Sequence, residues 1–159
     1  MTAPAIETEG LTKRFDETTV VDDLDLTVPA ESVYGFLGPN GAGKTTTMRM
    51  LTTLTTPTSG TARIVGNPVA DREAVVSHVG YLPEEPPLYD ELTGREQLRY
   101  VAGLRDVDDD AADERIDALL DRFDLTEDAD DRVGTYSKGM KQKAALVQAI
   151  LHEPDVVFL

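Results

Sequence analysis

Hydrophobic and polar positions change period several times along this chain, and each change marks an element. Residues 24–28 (LDLTV) alternate apolar and polar, the period of a half-buried antiparallel strand. Residues 33–37 (VYGFL) form a short continuous apolar run, which predicts a strand covered on both faces. A glycine-rich stretch follows, and then KTTTMRMLTTL, which reads as a helix despite its threonines. Residues 56–60 (TPTSG) predict a turn, and TARIV at 61–65 a further strand. VGYL at 79–82 is short and apolar, and Pro86 and Pro87 interrupt what comes after it. Thr93 and Glu96 have the spacing of a capping box that opens a helix to about residue 105. Ile116, Leu119, Leu120 and Phe123 fall on one face of the next helix. A last helix spans roughly 138–151, and VVFL at 156–159 reads as a strand. Strands alternating with helices around a glycine-rich turn predict an α/β fold.

That turn carries the chemistry. Gly38-Pro39-Asn40-Gly41-Ala42-Gly43-Lys44-Thr45 fits the phosphate-binding pattern G-x-x-x-x-G-K-[ST]. Glycines let the backbone curl so that successive N–H groups point at a phosphate, and the helix behind adds its N-terminal partial positive charge. In such a loop Lys44 reaches the β- and γ-phosphates, and the Thr45 hydroxyl sits on Mg²⁺. A chance glycine-rich turn is the bland alternative, and the strand–turn–helix setting speaks against it.

Composition narrows the class. The 159 residues have room for about one domain. Their 30 acidic side chains against 15 Lys and Arg give a formal net charge of −15, and 10 of those 15 bases are arginine. So acidic a surface repels phosphate backbones and disfavours a nucleic-acid binder. Excess Asp and scarce Lys also fit a protein built for a high-salt cytoplasm, an ordinary acidic protein being the alternative. Cysteine is absent, which removes disulfides, thiolate zinc sites and thiol catalysis. No apolar run approaches the roughly 18 residues of a membrane span, and MTAPAIETEG is unlike a signal peptide. The expectation is a soluble intracellular chain with no direct membrane insertion.

Further motifs single out one P-loop family. GFLGPNGAGKTT (35–46), GYLPEE (80–85) and YSKGMKQK (136–143), in that order and with Ser137 93 residues after Lys44, resemble the P-loop, Q-loop and signature of the ABC-transporter nucleotide-binding domain. The resemblance runs from about residue 5 to the end, and the spellings are most similar to ATPase subunits of drug, sodium or ABC-2-type exporters. It implies an α/β P-loop NTPase with an antiparallel β subdomain and P-loop core over about 5–87, a helical subdomain over about 88–150, and the start of the Walker B strand at 151–159. It also implies ATP and Mg²⁺ as cofactors and a cytoplasmic location at the inner face of the membrane. Its partners would be a membrane permease subunit and a second ATP-binding subunit, head to tail.

Roles carry over where residues match. By resemblance Phe15 stacks on adenine, with a plain core phenylalanine as the alternative. Thr46 adds a hydroxyl or N–H near the α-phosphate. Glu84 replaces the glutamine that ligates Mg²⁺ and senses the γ-phosphate. A carboxylate can bind Mg²⁺, but it brings negative charge towards a triphosphate, and a solvated acidic turn is the alternative. The signature keeps only Ser137 and Gly139 of its usual Leu-Ser-Gly-Gly-Gln spelling. These are the hydroxyl and bare backbone that can clasp a γ-phosphate at a helix N-terminus, where a mere N-cap is the alternative. The turn Pro86-Pro87-Leu88-Tyr89 lies where the family docks a helix of the permease, with a buried hairpin as the alternative.

The family's acidic pair after the Walker B strand, its D-loop and its switch histidine have no counterpart in these residues. The expectation is therefore a C-terminally truncated domain that has no ATPase activity alone. A non-hydrolysing nucleotide-binding remnant is one alternative. An SMC- or Rad50-like chromosome ATPase is another, but 93 residues without sustained heptads cannot hold its coiled coil. Asp106, Asp108 and Asp110 imitate the start of a calcium loop, but Ala111 stands where its glycine is needed, so a solvated acidic stretch is the reading.

Overall fold

A computed structural model describes residues 3–159. The chain divides into two compact units, the first ending at Val79 and the second running Gly80–Leu159.

The first unit is built on β1 (Ile6–Phe15), the inner strand of a four-stranded antiparallel sheet. On one side it pairs with β2 (Thr18–Val28). On the other it pairs with β3 (Ser59–Ile64), which in turn pairs with the short β4 (Asn67–Pro68). Phe15 faces Thr18 across a two-residue turn in which Asp16 takes φ 50°. Aspartate tolerates this left-handed conformation better than most residues. The alternation of β1 is broken around Gly10, where the register shifts between Thr8 and Leu11. That irregularity hides the strand from a period-2 reading. The apolar face supplies Ile6, Leu11, Val21, Val28, Ala62 and Ile64, all buried. Helix α1 (Lys44–Leu51) lies against β2 and β3 and buries Met50 and Leu51. A short α2 (Arg72–Val76) is capped by Asp71, whose carboxylate accepts from the Ala74 N–H.

One predicted element is not formed. The run 33–37 is not a strand; Val33 and Leu37 are fully exposed and Tyr34 is half exposed. A doubly covered strand requires neighbouring strands to take up its N–H and C=O groups. Among the described residues none pairs with this segment. Apolar sequence alone cannot supply the ladder.

The second unit is mainly helical: α3 (Gly94–Leu104), α4 (Asp109–Arg122) and α5 (Lys138–Ile150). Its core gathers Leu98, Ile116, Leu120, Leu125, Val133 and Val147, each essentially inaccessible to solvent. Burying side chains of this kind stabilises by roughly 1.5–3 kcal/mol apiece. The predicted helical face appears as expected, with Ile116 and Leu120 buried and Leu119 and Phe123 packed partly against them. Helix α3 starts at a complete capping box: Thr93 accepts from the Glu96 N–H, and Glu96 accepts from the Thr93 N–H at 2.8 Å. Asp108 caps α4 by accepting from the Asp110 and Ala111 N–H groups, which gives the Asp-rich stretch a structural task. Two short strands, β5 (Val79–Tyr81) and β6 (Val156–Phe158), pair with each other. Glu84 lies in this second unit. No helix among the described residues is long and apolar enough to cross a membrane.

Candidate functional site

The glycine-rich loop ends at Gly43, the N-cap of α1, with φ 89°. A Cβ there would stand 2.6 Å from the Val20 carbonyl oxygen and 3.0 Å from Val21 Cγ2. Both conformation and space therefore require glycine. The cap has no side chain and so offers no acceptor of its own to the N–H groups of the first turn. Thr47 is tied inward instead: its N–H and its hydroxyl both donate to the Gly43 carbonyl, at 2.8 and 2.9 Å. Thr45 is exposed and Thr46 half-buried.

Lys44 opens the helix and folds back over the loop. Its ammonium donates to the Gly38 carbonyl at 2.6 Å and the Pro39 carbonyl at 2.8 Å. Closure of the loop is completed by the Ala42 N–H, which donates to the Pro39 carbonyl at 3.2 Å. A cation, free backbone donors and a helix N-terminus thus converge on one short loop, an arrangement suited to a polyphosphate.

The same unit carries the aromatic candidate. Val20, against which Gly43 backs, lies two residues from Thr18, the partner of Phe15 in the β1–β2 pairing. The hairpin therefore ties the aromatic end of β1 to the strand that supports the P-loop. Phe15 is 49% exposed, unlike a core phenylalanine, and the Lys13 ammonium lies 4.9 Å from the centre of its ring. Lys13 is a contact the sequence reading missed. Residues two apart on a strand share a face, a signal that requires β1 to be recognised as a strand first.

The other candidates lie in the second unit. Glu84 is exposed in a bend just beyond β5, as is Glu85. Ser137 is the N-cap of α5, with its hydroxyl accepting from the Met140 N–H at 3.2 Å. Gly139 is exposed, and a Cβ on it would meet only the Ser137 hydroxyl, at 3.9 Å. The signature backbone is therefore open. Tyr136, just before it, is buried and donates its hydroxyl to the Asp128 carbonyl at 2.7 Å. Burial pushes the Tyr136 phenol above its ordinary value, and the nearby carboxylates of Asp128, Asp131 and Asp130 add to this.

Around the double-proline turn, Tyr89 is half exposed and meets Tyr100 edge to face, with ring centres 5.6 Å apart. The turn is held from below by Gln97, which is buried. Its side-chain oxygen accepts from the Tyr89 N–H at 3.0 Å, and its amide donates to Gln148 at 2.8 Å. Aromatic surface is left outward on a polar anchor.

Residues 21–159 match the family model for the ABC transporter. The chain belongs to the ABC transporter family. Over 155 residues this ABC domain is 41% identical to the bacitracin transport ATP-binding protein BcrA of Enterococcus faecalis, covering 97% of the chain and 49% of that protein. It is 42% identical over 156 residues to the daunorubicin/doxorubicin resistance ATP-binding protein DrrA of Streptomyces peucetius, covering 98% and 47%. A solved ATP-binding subunit of an ABC transporter superposes with a TM-score of 0.85 at 34% identity, over 94% of this chain and 63% of that one. The ABC-type α/β P-loop fold inferred from the motifs is thereby established. The chain spans about half the length of the curated relatives it matches.

Proposed function

We propose that this ABC domain binds Mg·ATP on the loop 38–46 and that, within a complete ATP-binding subunit, hydrolysis there drives transport by partner permease subunits. The observation that carries the reading is Lys44, whose ammonium lies over a loop that ends in an uncapped helix N-terminus. The residues present suit a magnesium nucleotide: backbone N–H groups and Lys44 for the phosphates, the Thr45 hydroxyl for the metal, and Thr46 near the α-phosphate. Phe15 offers its exposed ring to the base. When bound, ATP supplies the phosphoryl group whose transfer does the work.

Glu84 is assigned to the metal and the γ-phosphate side of the site, in place of an amide. Ser137 and Gly139 are assigned to the nucleotide of a second, head-to-tail subunit, and the open backbone at the start of α5 supports this. The turn Pro86–Tyr89 is assigned to the permease, which would hold the subunit at the inner face of the membrane. Exposed aromatic surface in so acidic a chain supports a partner there. Relatives named for bacitracin transport and for daunorubicin resistance support an exporter.

Calorimetric titration with Mg·ATP tests the reading. Saturable binding that Lys44→Ala weakens at least tenfold is the expected result. Equal binding by both proteins would remove the P-loop from the account.

A further inference from the structure

We propose that Lys13 positions the adenine platform: its ammonium, bonded to the Thr56 carbonyl and lying over one face of the Phe15 ring, leaves the other face for the purine base. This rests on the reading of Phe15 as the base-stacking residue.

Three observations converge on Lys13. Its ammonium lies 4.9 Å from the ring centre of Phe15, within the range of a cation–π contact. The same nitrogen donates to the Thr56 carbonyl at 2.8 Å, so the cation has a second hold besides the ring. Thr56 is itself anchored, because the turn it begins is strapped to the end of β1. The Thr58 N–H donates to the Thr12 carbonyl at 2.8 Å, and the Arg14 N–H donates to the Thr58 hydroxyl at 3.0 Å. Lys13 is therefore fixed at its tip.

The consequence for the ring is geometric and electronic. Phe15 ends β1 beside a tight turn and is half exposed, so the covering of its ring by the fold is incomplete. A pinned ammonium over one face holds the ring in place before a ligand arrives, which reduces the ordering that binding requires. The cation also draws on the negative quadrupole of the ring, which lessens repulsion from a second π system on the opposite face. With its ammonium engaged by the Thr56 carbonyl and the Phe15 ring, the effect of Lys13 should be confined to ligands that carry a base.

Titrations of the full chain with Mg·ATP and with Mg·tripolyphosphate separate the possibilities. Lys13→Met should lower ATP affinity roughly threefold to fivefold, the equivalent of one exposed cation–π contact. Tripolyphosphate affinity should stay unchanged, and Lys13→Arg should restore ATP binding. In a Phe15→Leu background Lys13→Met should have no further effect. Lys13→Gln replaces Lys13→Met if the latter does not fold. An equal loss for both ligands would overturn the proposal, since Lys13 would then act as a general positive charge. Unchanged ATP affinity in Lys13→Met, with Phe15→Leu weakened, would overturn it while leaving Phe15 as the platform. Unchanged ATP affinity in Phe15→Leu would remove the platform itself, and the proposal with it.

Discussion

The carbonyl oxygen of Val20 lies 2.6 Å from the point where a Cβ on Gly43 would stand. This contact sets α1 directly on β2 and so fixes the last turn of the P-loop relative to the hairpin that carries Phe15. Gly43→Ala meets both this obstacle and an unfavourable φ of 89°. Strain of this kind costs about 1–3 kcal/mol. The variant should melt earlier than the wild type and lose most of its ATP affinity, as read by thermal scans and titration. Unchanged affinity would mean that the loop tolerates a shift of α1.

A second pair tests the base of the signature. A Cβ on Gly94 would overlap the hydroxyl of Tyr136, which donates to the Asp128 carbonyl at 2.7 Å. Gly94→Ala should therefore destabilise the helical unit. Tyr136→Phe alone should cost about 1 kcal/mol through its lost hydrogen bond. Together they should cost less than the sum, because removing the hydroxyl makes room for the methyl group. Denaturant unfolding of the four proteins in the cycle measures the coupling. Strict additivity would show that the helix start moves aside.

Two of the perturbed acids, Tyr136 and Asp113, give opposite pH limbs. Burial raises the Tyr136 phenol in the folded state, so its contribution is full below about pH 10 and is lost as the pH rises through the folded value. Asp113 behaves inversely. The hydrogen bonds from Arg99, at 2.7 and 2.9 Å, hold its carboxyl below the ordinary range against an opposing desolvation. Its contribution is present above about pH 4 and is lost as the pH falls through the folded value. Stability measured against pH should flatten at the alkaline end in Tyr136→Phe and at the acid end in Asp113→Asn. The pair is exposed, so the acid effect should be small and should fade in salt. An unaltered alkaline limb in Tyr136→Phe would assign that limb to other groups.

Much of this fold is legible in the amino-acid sequence because the decisive signals are local. The Thr93–Glu96 box and the Ile116–Leu120 stripe each predict a helix that the structure contains, since caps and helical faces depend on residues three and four apart. The run at 33–37 fails for the opposite reason: a strand is made by its ladder partners, which no period records. β1 escapes notice because the shift at Gly10 interrupts its alternation. In the site, the P-loop is readable as a contiguous pattern of glycines, lysine and threonine. The contact between Lys13 and Phe15 is recoverable only with the strand in hand. The Gly43–Val20 contact joins separate elements and needs the fold itself.

Salt tests the reading of composition. At a net charge of −15, self-repulsion should weaken the fold in dilute buffer and fade as the Debye length falls from about 10 Å at 0.1 M to about 3 Å at 1 M. The thermal midpoint should rise steeply between low and molar KCl. A flat profile would make the acidity incidental and the protein an ordinary one in this respect.

The most direct test of the central claim is amide hydrogen exchange across residues 38–47, with and without saturating Mg·ATP. If the loop cradles the phosphates through its N–H groups, nucleotide should slow exchange there in the wild type and leave Lys44→Ala unprotected. Exchange that is unchanged over 38–47 at saturation, or equally slowed in Lys44→Ala, would contradict the account.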